Sequence, residues 1–213
     1  SNEIEMITQD IILEGGSIDS NGGGLILTTT ACMLEKNRNP HLSRENIEKK
    51  LTTYFGADKI LWLENGFLMG DDTDSHIDTL ARFVNRDTIV YVKCYDHHDY
   101  HYSALHKMEQ ELKELRDQNG KQFNLIPLPM TEPIYFEKER LPSTYANFLI
   151  INKAVLVPTY NDINDKKALS IFRDIFKDRE VVGIDCSMLI RQHGSLHCVT
   201  MQLPSGVLNA MQK

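Results

Sequence analysis

Apolar and polar positions alternate in short runs at the start of the chain. A strand-like run, Asp10 to Leu13, leads into Glu14-Gly15-Gly16. The turn Asn21-Gly22-Gly23-Gly24 and the apolar run Leu25 to Thr30 predict a hairpin, because glycines supply the positive-φ positions of a tight turn. The period then changes from two to about 3.6. Ile47, Leu51 and Tyr54 or Phe55 fall on one helical face, with Ser43 as N-cap and Gly56 as the stop, and Lys59 to Leu63 predicts the next strand.

The same order returns twice. Thr79 to Val84 and Thr88 to Val92 read as strands joined at Asn85-Arg86-Asp87; a helix follows from Tyr102 to Arg116, with Leu105, Met108, Leu112 and Leu115 on one face. The strand Phe123 to Leu128 leads into a polar, proline-rich loop from Pro129 to Tyr145. Asn147 to Ile151 and Ala154 to Val157 form a third hairpin, turned at Asn152-Lys153. A helix capped by Asp162 or Asn164 carries Leu169, Phe172 and Ile175, and Glu180 to Ile184 is the strand after it. Helix starts therefore recur at roughly sixty residues, the mark of an array of supersecondary units. The fold class expected is α/β, as one domain over residues 1–213. Glu14, the loop Gly70 to Asp78, the loop Arg140 to Asn147 and Cys198 all fall just before or at a hairpin. Units packed around an axis would bring these four places together, and with them His76 and Cys198.

Composition narrows the function classes. The 213 residues are 41% apolar and 25% charged, ordinary for a globular protein with one good core or two small ones. No run approaches the roughly 18 apolar residues of a membrane helix, and the opening residues lack a signal-peptide layout, so the cytoplasm is the expected compartment and no membrane partner is expected. A formal net charge of −7 argues against nucleic acid and is compatible with a small cationic partner. The oligomeric state is left open, with a homo-oligomer compatible. Cys32, Cys94, Cys186 and Cys198 form no Cys-x-x-Cys pair and read as reduced thiols.

Two stretches concentrate polar chemistry. Arg191 to Gln202 presents Cys198 directly after His197, following a Gly194-Ser195 turn; a thiol of ordinary pKa near 8.5 needs a partner or a substrate charge to become a working nucleophile. Gly70 to Asp78 carries His76-Ile77-Asp78, which in an extended segment puts the imidazole and the carboxylate on one side and Ile77 toward the core. Asp71, Asp72 and Asp74 crowd the same loop and repel one another unless a cation or backbone donors absorb the charge. Glu14, beside two glycines, is a candidate to orient His76. Asp96-His97-His98-Asp99 with His101 and His106 could suggest a metal, although a solvated helix start explains these residues as well. His193 and His197 flank the cysteine and read as ligands, as donors to the groups behind it, or as residues that only shape its loop, and Arg38 and Arg140 read as loop anchors.

Glu14-Gly15-Gly16-Ser17, Asn37-Arg38-Asn39-Pro40-His41, Gly70 to Asp78 and His193-Gly194-Ser195-Leu196-His197-Cys198 resemble, in order, the signature blocks of the bacterial-type peptidyl-arginine deiminase family, and within it the agmatine deiminases. The resemblance implies the pentein fold, an α/β-propeller of five ββαβ units around a pseudo-fivefold axis. It implies hydrolysis of a guanidinium to a ureido group with release of ammonia, without a metal or organic cofactor. By that resemblance Cys198 attacks the guanidinium carbon to give an amidino-cysteine. His76 protonates the departing ammonia and then activates water, Glu14 hydrogen-bonds His76, Asp78 holds guanidinium nitrogens and Asp72 lines the substrate channel. Agmatine is the expected substrate; free or peptidyl arginine is the alternative within the same chemistry. A non-catalytic guanidinium or polyamine binder and a metal protein built on His97, His98 and His101 are readings of other classes. One block is missing: the family's Trp-Ala-Arg-Asp, with a further guanidinium-binding aspartate, has no counterpart ahead of Glu14. The chain is therefore expected to hold the last three to four propeller units and, taken alone, to be inactive or nearly so.

Overall fold

Three copies of one mixed unit follow each other along the chain in the computed structural model, which describes residues 8–203. The first comprises β1 (Ile18–Ser20), β2 (Leu25–Thr29), the short helix α1 (Thr30–Met33), α2 (Arg44–Phe55) and β3 (Lys59–Leu63). The second comprises β4 (Ala81–Phe83), β5 (Thr88–Lys93), α3 (Tyr102–Glu114) and β6 (Asn124–Pro129). After a small hairpin, β7 (Tyr135–Phe136) and β8 (Glu139–Arg140), the third comprises β9 (Leu149–Ile150), β10 (Ala154–Thr159), α4 (Asp165–Ile175) and β11 (Glu180–Asp185). In each unit the first two strands pair antiparallel and the last pairs parallel to the second, as in Ser20↔Ile26 and Ile26↔Ile60. A parallel pair needs a crossover, and the helix supplies it. Among the described residues no strand pairing joins one three-stranded sheet to another.

Strand alternation divides the core. Leu25, Leu27, Leu61 and Leu63 face the large cluster shared with the other two units, while Ile26, Ile60 and Trp62, one position out of phase, pack with Met33, Ile47 and Leu51 under α2. Ser43 caps α2, its Oγ accepting from Asn46 N at 3.3 Å, and Gly56 ends it in the left-handed conformation at φ 63°.

The first strands of the three units are tied at one buried point. Asp19 in β1 accepts from Arg82 Nε in β4 at 2.9 Å and from Phe83 N at 2.7 Å. Arg82 also donates to the carbonyl of Phe148 just ahead of β9, and its guanidinium lies 4.6 Å from the Phe148 ring centroid. This strut brings together the segments that precede β1, β4 and β9.

Several local expectations change: β4 spans only Ala81–Phe83 and β9 only Leu149–Ile150. Asp10 to Leu13 is irregular; Ile12 exchanges hydrogen bonds of 2.9 Å with the Asn39 side chain, which takes the place of a neighbouring strand. Tyr54 and Phe55 are exposed, so the buried face of α2 is narrower than its apolar pattern. Leu115 turns extended and ends α3 at Glu114. The hairpin β7–β8 lies inside a stretch that reads as loop. Residues 1–7 and 204–213 of the expected single domain lie outside the described residues.

Candidate active site

Glu14 is delivered by a short 3-10 turn, Gly15–Ser17, that runs into β1. The block Asn37 to His41 fixes it. Arg38 grips the Glu14 carboxylate with Nε at 3.1 Å and its second nitrogen at 3.0 Å, and reaches Asp74 at 2.6 Å and the Thr73 carbonyl at 2.9 Å. One guanidinium thus joins the Glu14 segment to the acidic loop and absorbs part of its charge. Asp71 accepts from Thr73 Oγ1 at 2.6 Å and Ser75 N at 2.7 Å, while burial pushes its carboxyl pKa upward. Asp74 and Ser75 both take positive φ, and Thr29 at the end of β2 holds the Ser75 carbonyl at 2.8 Å.

His76 and Asp78 are buried. Ile77–Thr79 form a 3-10 turn and not the extended segment the sequence suggested, yet both polar side chains still meet over one residue, Gly16. A Cβ at Gly16 would stand 2.6 Å from His76 Nδ1 and 2.8 Å from Asp78 Oδ2. The other ring nitrogen of His76, Nε2, is in hydrogen-bond contact with Glu14 Oε2. Burial opposes ionisation of Glu14, but the hydrogen bonds from Arg38 and His76 outweigh it and hold the carboxyl below its ordinary range.

Cys198 arrives from the opposite end of the chain. The 3-10 turn Leu189–Gln192 ends at His193, which adopts φ 67° and bonds the Gly70 carbonyl through Nδ1 at 2.8 Å. That contact fastens the cysteine loop to the acidic loop. His197 Nδ1–H donates to Asp78 Oδ2 at 2.8 Å, and Cys198 Sγ lies 3.8 Å from the same oxygen. The other oxygen, Oδ1, is buried with no hydrogen-bond partner among the described residues. Cys198 is exposed as a residue, but its sulfur is crowded by Asp78 and Asn147; removal from water, then the Asp78 charge, push the thiol pKa up to about 11. Glu14, Asp72, His76, Asp78, Gln192 and Cys198 line a cavity of about 310 Å³. A larger one of about 600 Å³, with Ile18, Leu149 and Ile150 in its wall, also reaches Cys198.

The five residues given roles by the family resemblance, Glu14, Asp72, His76, Asp78 and Cys198, thus line one cavity. Asn147, not singled out individually, is fully buried beside Cys198; its place just ahead of the third hairpin is the signal that could have found it. The histidines near α3 are engaged elsewhere. His101 accepts from Met69 N at 2.8 Å and donates to Asp99 at 2.7 Å, Asp99 pairs with Arg140 at 2.8 Å, and His97 and His106 pack on Tyr102. Among the described residues Glu14, Cys32 and His76 do lie within 4.8 Å of one another, but both Glu14 oxygens are already taken by Arg38 and His76.

Repeated ββαβ units with a thiol, an imidazole and carboxylates gathered ahead of their hairpins define an α/β protein with a cysteine–histidine–carboxylate centre. The chain belongs to the Porphyromonas-type peptidyl-arginine deiminase family, whose pattern matches residues 1–204. It is 36% identical to an agmatine deiminase of Pseudomonas putida, over 94% of this chain and 59% of that protein. The substrate-bound structure of a C. jejuni agmatine deiminase superposes with a TM-score of 0.86 at 47% identity, over 91% of this chain and 56% of that one. A Porphyromonas gingivalis structure, provisionally described as an arginine deiminase, superposes with a TM-score of 0.90 at 57% identity, over 92% of this chain and 58% of that one. The chain spans between half and two thirds of the length of these relatives.

Proposed function

We propose that this chain carries the reaction centre of an agmatine deiminase, which hydrolyses agmatine to N-carbamoylputrescine and ammonia. The observation that carries the reading is the convergence of Glu14, His76, Asp78 and Cys198 on one cavity, with Sγ 3.8 Å from Asp78 Oδ2. A planar cation with paired N–H donors matches in-plane carboxylates. Asp78, buried with one oxygen unpartnered, has a strong electrostatic reason to accept one. The guanidinium charge also offsets the two effects that keep Cys198 protonated, so the thiol passes its proton to His76 and the thiolate forms as the substrate enters. Sγ then bonds to the guanidinium carbon and the C–N bond to a terminal nitrogen breaks as His76 delivers a proton, releasing ammonia and leaving an amidino-cysteine. His76, oriented by Glu14, next takes a proton from water; its oxygen bonds to the carbon, the C–S bond breaks, and the ureido product leaves with the thiol restored. Asp72, exposed at the cavity, lines the path of the substrate.

The three ββαβ units and the family membership support a pentein propeller in the intact protein. The share of the relatives covered supports a further proposal, that residues 1–213 by themselves turn over agmatine slowly or not at all. Free or peptidyl arginine is the second reading, favoured by the name of the P. gingivalis relative at 57% identity. Ammonia release from agmatine, arginine and a peptide ending in arginine, measured with the full-length protein, separates the substrates. Agmatine is expected to be turned over fastest, with a mass shift trapped on Cys198. Binding of agmatine with neither ammonia nor adduct would overturn the enzyme reading in favour of a guanidinium-binding protein.

A further inference from the structure

Asn147 has no exposed surface, and both ends of its side-chain amide are committed. Oδ1 accepts from the backbone N–H of His197 at 2.8 Å and of Cys198 at 3.3 Å. Nδ2 donates to the Asp78 carbonyl at 3.3 Å and lies 3.2 Å from Cys198 Sγ. The amide cannot be turned over, because its NH2 would then face two backbone N–H donors. The group next to sulfur is therefore a donor, held by two acceptor contacts on one side and a carbonyl on the other. Oδ1 is 3.5 Å from the same sulfur, so the amide also accepts from the neutral thiol. One side chain can thus serve both protonation states, and hydrogen bonds to an ionised acceptor are the stronger kind.

The surroundings make such a donor necessary. Removal from water and Asp78 both disfavour the thiolate, Asp71 adds to this from further off, and the Ser195 backbone and Asn147 work in the other direction. The remaining charged or titratable groups near the sulfur are His197, bonded to Asp78, with His76, His193, Glu14 and Asp72 on the smaller cavity, Asp19 and Arg82 on the larger one, and the Tyr160 hydroxyl.

We propose that Asn147 is a catalytic residue of this site: its Nδ2–H donates to the ionised sulfur of Cys198 and stabilises the attacking thiolate, while Oδ1 fixes the backbone that presents it. The catalytic role rests on the cysteine-nucleophile reading above; the hydrogen bond to sulfur does not.

The test is the pH dependence of Cys198 alkylation by iodoacetamide in the intact protein, read by peptide mass spectrometry. Asn147→Asp keeps the acceptors for the two backbone N–H groups but replaces the donor with a negative charge. The inflection is expected to move up by about one pH unit or more, a roughly tenfold slower alkylation at a fixed pH below it. Asn147→Ala, which removes the donor without adding charge, is expected to move it up by less. A purely structural role would lower thermal stability and leave the inflection where it was. Either folded variant titrating like the parent would overturn the proposal. Should neither fold, the parent still decides: the Asn147 side-chain amide protons must shift downfield in NMR through the Cys198 titration, and a flat response would overturn the proposal. Agmatine turnover by the parent with no alkylation effect in the variants removes the Asn147 role alone, whereas an alkylation effect with no turnover by the parent removes the deiminase reading and the catalytic role with it, and leaves the hydrogen bond to sulfur.

Discussion

Replacing Gly16 with alanine probes the contact on which the centre is built. The backbone at Gly16 is outside the left-handed region, so alanine is conformationally acceptable and the effect is steric. Its Cβ would meet His76 Nδ1 at 2.6 Å and Asp78 Oδ2 at 2.8 Å, where ordinary contact begins at 3.4 Å. Each group must retreat by roughly 0.6–0.8 Å to reach van der Waals distance. Neither can do so freely, since His76 is tied to Glu14 and Asp78 to His197. Overpacking of this kind costs about 1–3 kcal/mol, and reduced freedom of the unfolded chain offsets about 0.4–1 kcal/mol of it. The net loss of stability should be modest, about 0–2.6 kcal/mol by those two ranges. Activity should suffer far more, because a displacement near 1 Å at a reacting group costs on the order of 100-fold. The assay is steady-state ammonia release from agmatine by the intact protein, with urea unfolding of the same sample. Gly15→Ala, where a Cβ would meet nothing within 4 Å, separates lost backbone freedom from collision and should lose much less activity. If Gly16→Ala turned over within twofold of the parent, His76 and Asp78 would not need the positions described here, and the geometric reasoning would fail.

Two further perturbations test the scaffold. Asp99 is held at about pKa 2: burial opposes its ionisation, but hydrogen bonds from Arg140 and His101 prevail. Because that value lies below its ordinary 3.8, the stabilisation is complete above about pH 4 and is lost as pH falls toward 2, amounting to on the order of 2 kcal/mol. Arg140→Met should therefore flatten the fall in urea-unfolding free energy between pH 5 and pH 2 by a part of that amount, since the His101 bonds to Asp99 remain, and a parent–variant difference independent of pH would refute the assignment. Arg82→Ala leaves Asp19 buried without its cation and unties the three first strands, so it should cost about 3–5 kcal/mol; a loss below about 1 kcal/mol would show that the strut is dispensable.

The sequence by itself determined the units and the chemistry on offer. Period-two runs at Leu25 and Thr88, the 3.6-residue spacing of Ile47 and Leu51, and the Ser43 and Gly56 signals are local properties. They survive into the structure because strand alternation and helix capping are set by near neighbours. Glu14, His76, Asp78 and Cys198 were legible for a related reason: the sixty-residue recurrence assigned them to equivalent stages of successive units, and the signature blocks agreed. What only the tertiary structure decided is which side chain serves which. The recurrence brought the loop ending at Asn147 near the other three places but did not single out its amide; Arg82 and Asp19 draw the segments before β1, β4 and β9 together, and the amide then lies between the Asp78 carbonyl and the Cys198 sulfur. Arg38 becomes the partner of Glu14, and His101 becomes a tie for the Met69 backbone, through contacts 24 and 32 residues apart in the chain. Hydrogen bonds at such separations depend on distances and orientations fixed by packing, and no local pattern of residue types encodes them.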